Sequence, residues 1–432
     1  MHSTVQLASS APLAAAVFLV TVGLVIARPR RLTEAWAAFL GAAAMTILGL
    51  VSPSEAASAA ASQWNVLLFF FGLTGIAAVA ERSGLFEALA WQTARWSRGD
   101  PRRLLVAVVA VGAMVSALLS NDAAALVLTP VVYALVVRFG LEPLPFVLAC
   151  TFVADAASIA LPVSNPVNVI VADGLDLHPV ALAPVLLPAA LAAVLALLAV
   201  LAWRYLPGLP ARTPVPIAER MAPPRPTASQ WSVWMTLAVV GAAFAGGSLA
   251  GVPLGPTMAL GWLAMVVVER AFGGGASPLE GIGWSLLVFV AAMTVVVRAL
   301  AGSNITVWLA SLVLQPLRDA PMLLLAASAL LSAVGANLLN NLPAALVLVD
   351  AIRSAGLNAA GTHAAALGTI VGADLGPNLT PVGSVATLLW LVLLRQRGLE
   401  VSSWTYIRIG LIVTPLTLAA ALAVTIALGA AR

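Results

Sequence analysis

Apolar runs of roughly 18–25 residues follow one another along the whole chain, parted by short polar stretches, and this rhythm predicts a bundle of membrane-spanning helices. The predicted spans are 11–27, 34–51, 64–81, 144–172, 180–203, 232–249, 253–270, 284–301, 362–394 and 405–430. Two of them are interrupted, 144–172 by Pro162 and Pro166 and 362–394 by Gly376, Pro377, Pro381 and Gly383, so each reads as a broken helix. Two further stretches do not fit a simple crossing. Residues 102–138 and 321–353 each consist of an apolar run, a polar tip and a second apolar run rather short for a bilayer. Their tips are Ser120-Asn121-Asp122 and Asn340-Asn341, and both stretches read as re-entrant helical hairpins that turn back inside the membrane. Segments 85–97 and 304–318 are amphipathic.

These features recur in order. At an offset of 220, Pro101 matches Pro321, Asn121 matches Asn341, and AALVL at 124–128 matches AALVL at 344–348. At an offset of 219, Asp155 matches Asp374 and Pro162-Val163 matches Pro381-Val382. Matches of Leu and Ala are cheap in such a composition, but an ordered set containing Pro, Asn and Asp is not. Each half then holds five crossings, an odd number, so the second half is expected upside down relative to the first. The expected architecture is an all-α polytopic membrane protein: an inverted repeat of two five-span halves, with ten transmembrane helices, two re-entrant hairpins and two broken helices. The first repeat covers 1–203, a linker rich in Pro and Arg covers 204–230, and the second repeat covers 231–432.

Composition leaves no room for a soluble domain of ordinary size: 62% of the 432 residues are hydrophobic, 9% are charged, and the mean hydropathy is +1.04. All 21 basic residues are arginines in short loops. With the N-terminus outside, 17 of them fall on one side and only Arg298, Arg318, Arg353 and Arg432 on the other. The positive-inside rule makes the first side cytoplasmic, leaves both termini outside, and sends the first hairpin in from the cytoplasm and the second from outside. The pI of 10.2 therefore reflects topology, and no nucleic-acid partner is expected. Without lysine there is no P-loop phosphate grip and no Schiff-base chemistry. The single cysteine, Cys150, allows neither an intrachain disulfide nor a thiolate metal site. No Ser/His pair, ligand cluster or cofactor motif points to an enzyme, and no cofactor is expected. The first apolar run precedes the cluster Arg28-Pro29-Arg30-Arg31, the wrong polarity for a cleaved signal peptide.

Two polar tips that approach the midplane from opposite sides imply a cavity between them, because polar groups at that depth are tolerated only around one. Candidate substrate-binding residues are Ser120, Asn121, Asn340 and Asn341 at the tips, with Ser164, Asn165, Asn168, Thr380, Gly383 and Ser384 in the breaks. The set is rich in neutral donors and acceptors and contains no cation. Three carboxylates accompany it: Asp122 at the first tip, and Asp155 and Asp374, each seven residues ahead of a break proline. An aspartate at the bilayer centre costs ~3 kcal/mol on insertion scales. No arginine falls near any of the three, which makes them candidate proton-coupling groups. Structural roles compete: Asp122 suits an N-cap of the second hairpin arm, Asn340-Asn341 a cap ahead of Pro343, and Asp155 and Asp374 bonds to backbone freed by the breaks. Cys150 reads as a small buried hydrophobe, and His2, His178 and His363 as surface groups.

The phrases SNDAAALVLTP (120–130), NLLNNLPAALVL (337–348) and ADLGPNLTPVGSVATLLW (373–390) together resemble the arsenical pump membrane proteins, bacterial arsenite efflux permeases of the ion transporter superfamily, from about residue 64 to the C-terminus. The resemblance implies paired hairpins, broken helices and often a homodimer in the bacterial inner membrane. It also implies export of arsenite and antimonite, small neutral trivalent hydroxides, in exchange for protons or, in some systems, with a soluble arsenical ATPase. The residues agree, since a cage of Asn, Ser and Thr suits a neutral triol better than arginines would, and one cysteine cannot build a thiolate trap. Position 378 departs from the family phrase, with Asn in place of Lys. Three alternatives stay open: a sodium/proton antiporter of the same superfamily, a subunit driven by an ATPase through loops such as 82–103 and 204–230, and silicic or boric acid as substrate.

Overall fold

The structure is a computed structural model that describes residues 2–27, 29, 32–212 and 226–429. Among the described residues every regular element is helical. The chain opens with α1 (His2–Ala27) and α2 (Glu34–Ile47), the latter capped by the Thr33 side chain, which accepts from Trp36 N. A short helix follows that the apolar pattern did not predict, α3 (Pro53–Ser62), an Ala/Ser stretch with no apolar face. Its signal is the capping box: Ser52 accepts from Glu55 N, and Glu55 accepts in return from Ser52 N at 2.9 Å. The Ser52 hydroxyl, which donates to Glu55 Oε2 at 2.7 Å, and the Ser52 N–H hold the exposed Glu55 carboxyl below its ordinary pKa.

Next come α4 (Trp64–Arg82), the amphipathic α5 (Leu85–Ser97), and α6 (Pro101–Leu118), which with α7 (Thr129–Arg138) forms the first hairpin. A broken pair, α8 (Leu144–Ser158) and α9 (Pro166–Gly174), leads into α10 (Pro179–Tyr205). The second half holds α11 (Ala228–Leu249), α12 (Leu254–Ala271), α13 (Trp284–Gly302) and α14 (Ile305–Leu309), the last continuing in tighter and wider turns to Leu317. The second hairpin is α15 (Pro321–Leu339) and α16 (Asn341–Ser354), the second broken pair is α17 (Ala359–Leu375) and α18 (Val385–Gln396), and α19 (Ser403–Gly429) closes the chain. Among the described residues six helices are by themselves long and apolar enough to cross a membrane: Trp64–Arg82, Pro101–Leu118, Ala181–Gly208, Trp284–Gly302, Pro321–Leu339 and Ser403–Gly429. The middle of the linker, 213–225, and the loop arginines Arg28, Arg30, Arg31, Arg220, Arg225 and Arg432 lie outside the described residues.

The surface is that of a membrane protein. Leu19, Val20, Leu191, Leu195, Val239 and Leu338 are exposed, while Phe69, Phe146, Phe152, Phe289, Trp390 and Tyr406 are buried. Exposed tryptophans cluster within a turn of helix ends, Trp36, Trp64, Trp203, Trp231, Trp284 and Trp404, as an aromatic belt at each membrane face requires.

Helix pairing follows small residues. Gly368, Gly372 and Gly376 recur at a four-residue spacing on α17 and its end, and a Cβ on them would run into Leu325 O, Ala329 O and the backbone of Ala333 on α15. The two backbones touch, the close approach that stripes of small residues permit in lipid. Likewise Gly72 of α4 lies against the Met258 backbone of α12. Helices α2, α4, α12 and α13 thus pack in one group with α1 and α11, while α6 packs on α8, α15 on α17 and α10 on α19.

Candidate functional site

The first hairpin turns on its own side chains. Ser120 Oγ accepts from Ala123 N at 3.1 Å and Asn121 Oδ1 from Asp122 N at 2.9 Å, so capping of the second arm falls to Ser120 and Asn121. Asp122, expected as a possible cap, makes no side-chain cap bond. The arm then widens into a π-helical stretch, Ala123–Leu128, just ahead of Pro130. Proline brings no N–H to the carbonyl four residues back, and its ring crowds that carbonyl, which accounts for the widening. The second arm of the other hairpin, with Val349 and Asp350 where the first has Thr129 and Pro130, is a regular helix.

At the second tip Asn340 adopts φ 76° and ψ 154°, a conformation favoured by glycine and costing a non-glycine residue ~1–3 kcal/mol. It is held by a long bond from Asn340 Nδ2 to Val382 O at 3.4 Å. Asn341 Oδ1 accepts from Leu342 N at 3.0 Å, the same turn that Asn121 makes on Asp122.

The breaks are stitched by neighbouring amides and hydroxyls. Asn165 Oδ1 accepts from Val167 N and caps α9, while Asn168 Nδ2 donates to Ser158 O at 2.7 Å and Leu161 O at 3.0 Å across the gap. Ser164 Oγ donates to Ala117 O at 2.9 Å and so ties the break to the first hairpin. In the second break Thr380 Oγ1 donates to Asn337 Oδ1 at 2.7 Å, and Asn337 Nδ2 donates to Ala333 O and Gly376 O, each at 2.8 Å. Gly383 fits tightly against Pro377.

A cavity of about 210 Å³ lies between the tips. Asn121, Asp122 and Asn341 reach it from the tips, Asn165 and Ser384 from the starts of α9 and α18, and Glu34, Thr74 and Ser285 from α2, α4 and α13. Among the described residues no arginine and no cysteine stands on its wall. Of the residues singled out from the sequence, Asn121, Asn165, Asn341, Ser384 and Asp122 therefore meet in one place. Ser120, Asn340, Ser164, Asn168, Thr380 and Gly383 are off that wall and shape the tips and breaks behind it. Sequence reasoning missed Glu34, Thr74, Ser285 and Asn337. Glu34 follows a Thr cap and reads as an ordinary first-turn acid, yet Ser285 Oγ donates to Glu34 Oε1 at 3.2 Å inside the cavity.

Asp155 and Asp374 lie deeper, 2% and 0% exposed. Asp155 Oδ1 accepts from Asn121 Nδ2 at 3.5 Å, and Asp155 Oδ2 has no partner. The Asp374 carboxyl faces Ser158 and Asn168 and stands near Asp155, yet neither of its oxygens is hydrogen-bonded. Asn168 Oδ1 and Asn378 Oδ1 are likewise buried acceptors without donors, although Asn378 Nδ2 does reach Phe152 O at 3.2 Å. Buried acceptors in such number call for protons or water. Cys150 is fully buried in the apolar core.

A family model described as arsenical pump membrane protein matches residues 13–428. The arsenical pump membrane protein of Escherichia coli (strain K12) is 34% identical over 414 residues, 93% of this chain and 95% of that one. That of Yersinia enterocolitica is 34% identical over 411 residues with the same coverage. Among solved structures, the YdaH transporter of Alcanivorax borkumensis superposes with a TM-score of 0.61 over 90% of this chain and 88% of that one, at 18% identity, which is a likeness of fold.

Proposed function

Since the chain belongs to the arsenical pump membrane protein family, we propose that it exports arsenite and antimonite across the bacterial inner membrane in exchange for protons. The observation that carries this reading is the cavity wall: among the described residues it holds neutral amides and hydroxyls from both tips and both breaks, two carboxylates, and no cation or thiol. Arsenous acid is a neutral triol near pH 7, so it needs acceptors for three O–H groups and donors for its lone pairs. Asn121, Asn165, Asn341 and Ser384 supply both. Ser120, Asn340, Ser164, Asn168, Thr380 and Gly383 keep the tips and breaks in the shape that presents those four.

Asp122, Asp155 and Asp374 are assigned the protons. Asp122 is free of a capping duty and faces the cavity, and Asn121 connects that tip to Asp155. The unpaired acceptors around Asp374 support proton occupancy there, because a carboxyl O–H would give Asn168 Oδ1 or a water the donor it lacks.

The architecture assigned to this cycle is the inverted repeat of 1–203 and 231–432 around the cytoplasmic linker 204–230, ten spans in all, with both termini outside. The matched tip turns at Asn121 and Asn341 and the two broken pairs support it. The hairpins and broken helices move as a body against α2, α4, α12 and α13. A homodimer and a soluble arsenical ATPase enter from the family resemblance alone.

The test is arsenite uptake into everted membrane vesicles under an imposed pH gradient without ATP. Uptake that vanishes when an ionophore collapses the gradient supports the proposal. Uptake that follows a sodium gradient instead moves the coupling to sodium, and uptake that needs ATP and a soluble fraction moves it to a partner ATPase.

A further inference from the structure

We propose that a recess between the C-terminal end of α10 and the N-terminal end of α19 binds the phosphate headgroup of an anionic membrane phospholipid. The recess has a volume of about 800 Å³, and Arg204 and Arg408 stand on its wall, one from each helix. Neither arginine is in an ion pair among the described residues, and the wall holds one carboxylate, Glu142, so the site carries net positive charge. The Arg204 guanidinium lies over the Tyr205 ring, 5.2 Å from its centroid. That cation–π contact restrains the guanidinium beside the ring, where its N–H groups can meet an oxyanion.

Two observations make the occupant a lipid. Trp203 and Trp404, at the same helix ends, are 68% and 63% exposed and mark the depth at which indoles sit among headgroups. The rest of the wall includes Val200, Ile409 and Ile412, one to two turns along the helices into the bilayer, where acyl chains lie. A pair of arginines between transmembrane helices, above an apolar slot, is the arrangement that captures acidic headgroups. The site shares no wall residue with the cavity between the tips and is independent of the transport reading.

The experiment is native mass spectrometry and thermal unfolding of the full-length protein with phosphatidylglycerol or phosphatidylcholine, and with soluble glycerol phosphate. Phosphatidylglycerol should be retained and raise the melting temperature, phosphatidylcholine should not, and Arg204→Ala/Arg408→Ala should weaken retention about thirtyfold. If the double variant does not fold, Glu142→Gln serves, since it keeps both arginines and removes the repelling charge; it should retain the anionic lipid more tightly than the native chain. Equal retention of the two lipids, native-like retention by the double variant, or no gain in Glu142→Gln overturns the site. Stabilisation by glycerol phosphate equal to that by the lipid also overturns it, in favour of a soluble phosphoester.

Discussion

The Asn121 side-chain amide lies 3.5 Å from Asp155 Oδ1, so the tip of the first hairpin is hydrogen-bonded to a carboxylate of the broken helix beside it. The bond is strongest when Asp155 is ionised, which makes the position of the tip depend on whether that residue holds a proton. Asp155→Asn should fold yet lose uptake driven by a pH gradient, while exchange of arsenite at equal concentrations persists. Asn121→Ala should leave a buried carboxylate without its donor and lower stability by ~1.5–3 kcal/mol. Thermal unfolding checks the second outcome. Full gradient-driven uptake by Asp155→Asn would remove Asp155 from the coupling scheme.

Glu34 and Asp122 face one cavity, and the Ser285 hydroxyl donates to the first of them. A carboxylate on the wall is the best acceptor for a substrate hydroxyl, worth about twice a neutral one. Glu34→Ala is therefore expected to raise KM for arsenite about tenfold with a smaller effect on kcat, and Glu34→Asp to recover part of the loss. An unchanged KM in Glu34→Ala would show that the substrate does not touch Glu34.

The tips and breaks were legible in the sequence because Asn, Asp and Pro stand out in apolar runs, and the bounds of α5, 85–97, coincide with the amphipathic stretch. What each polar residue does was less legible. Asn165 and Asn168 are three residues apart in one break, yet the first reaches the cavity and the second is spent on Ser158 O and Leu161 O. That division depends on which carbonyls the break frees and where they point, and spacing does not encode it. Glu34 was hidden for another reason: its hydrogen-bond partner in the cavity, Ser285, lies 251 residues away along the chain. α3 escaped because an Ala/Ser helix with no buried face has no apolar period to read.

Gly372 is the middle of the stripe on α17, and a methyl group there would meet Ala329 O, which is backbone and cannot swing away. Gly372→Ala should separate α15 from α17 and destabilise by ~1–3 kcal/mol. The second tip hangs from α15 and Asp374 sits on α17, so uptake should fall with stability. Gly241→Ala, on α11 with nothing near the added carbon, should be silent in both assays. Similar behaviour of the two variants would mean that the close approach of α15 and α17 does not matter.

Arg82, at the end of α4, makes two bonds to Glu269 at the end of α12, at 2.8 and 2.9 Å, and a third to Glu280 O at 3.2 Å. Both groups are partly exposed, so Arg82→Ala should cost only ~1–2 kcal/mol after solvent screening, more than a simple surface pair because the contact is bidentate. Arg82→Lys should recover less than half, since an ammonium cannot hold both oxygens in the same fork. The charge swap Arg82→Glu/Glu269→Arg should recover most of what either single substitution loses, and a double-mutant cycle read by thermal unfolding measures it. A coupling energy near zero would mean that α4 and α12 are held by their other contacts, such as Gly72 on the Met258 backbone and the bond from Gly255 N to Asn65 Oδ1, and not by this bridge.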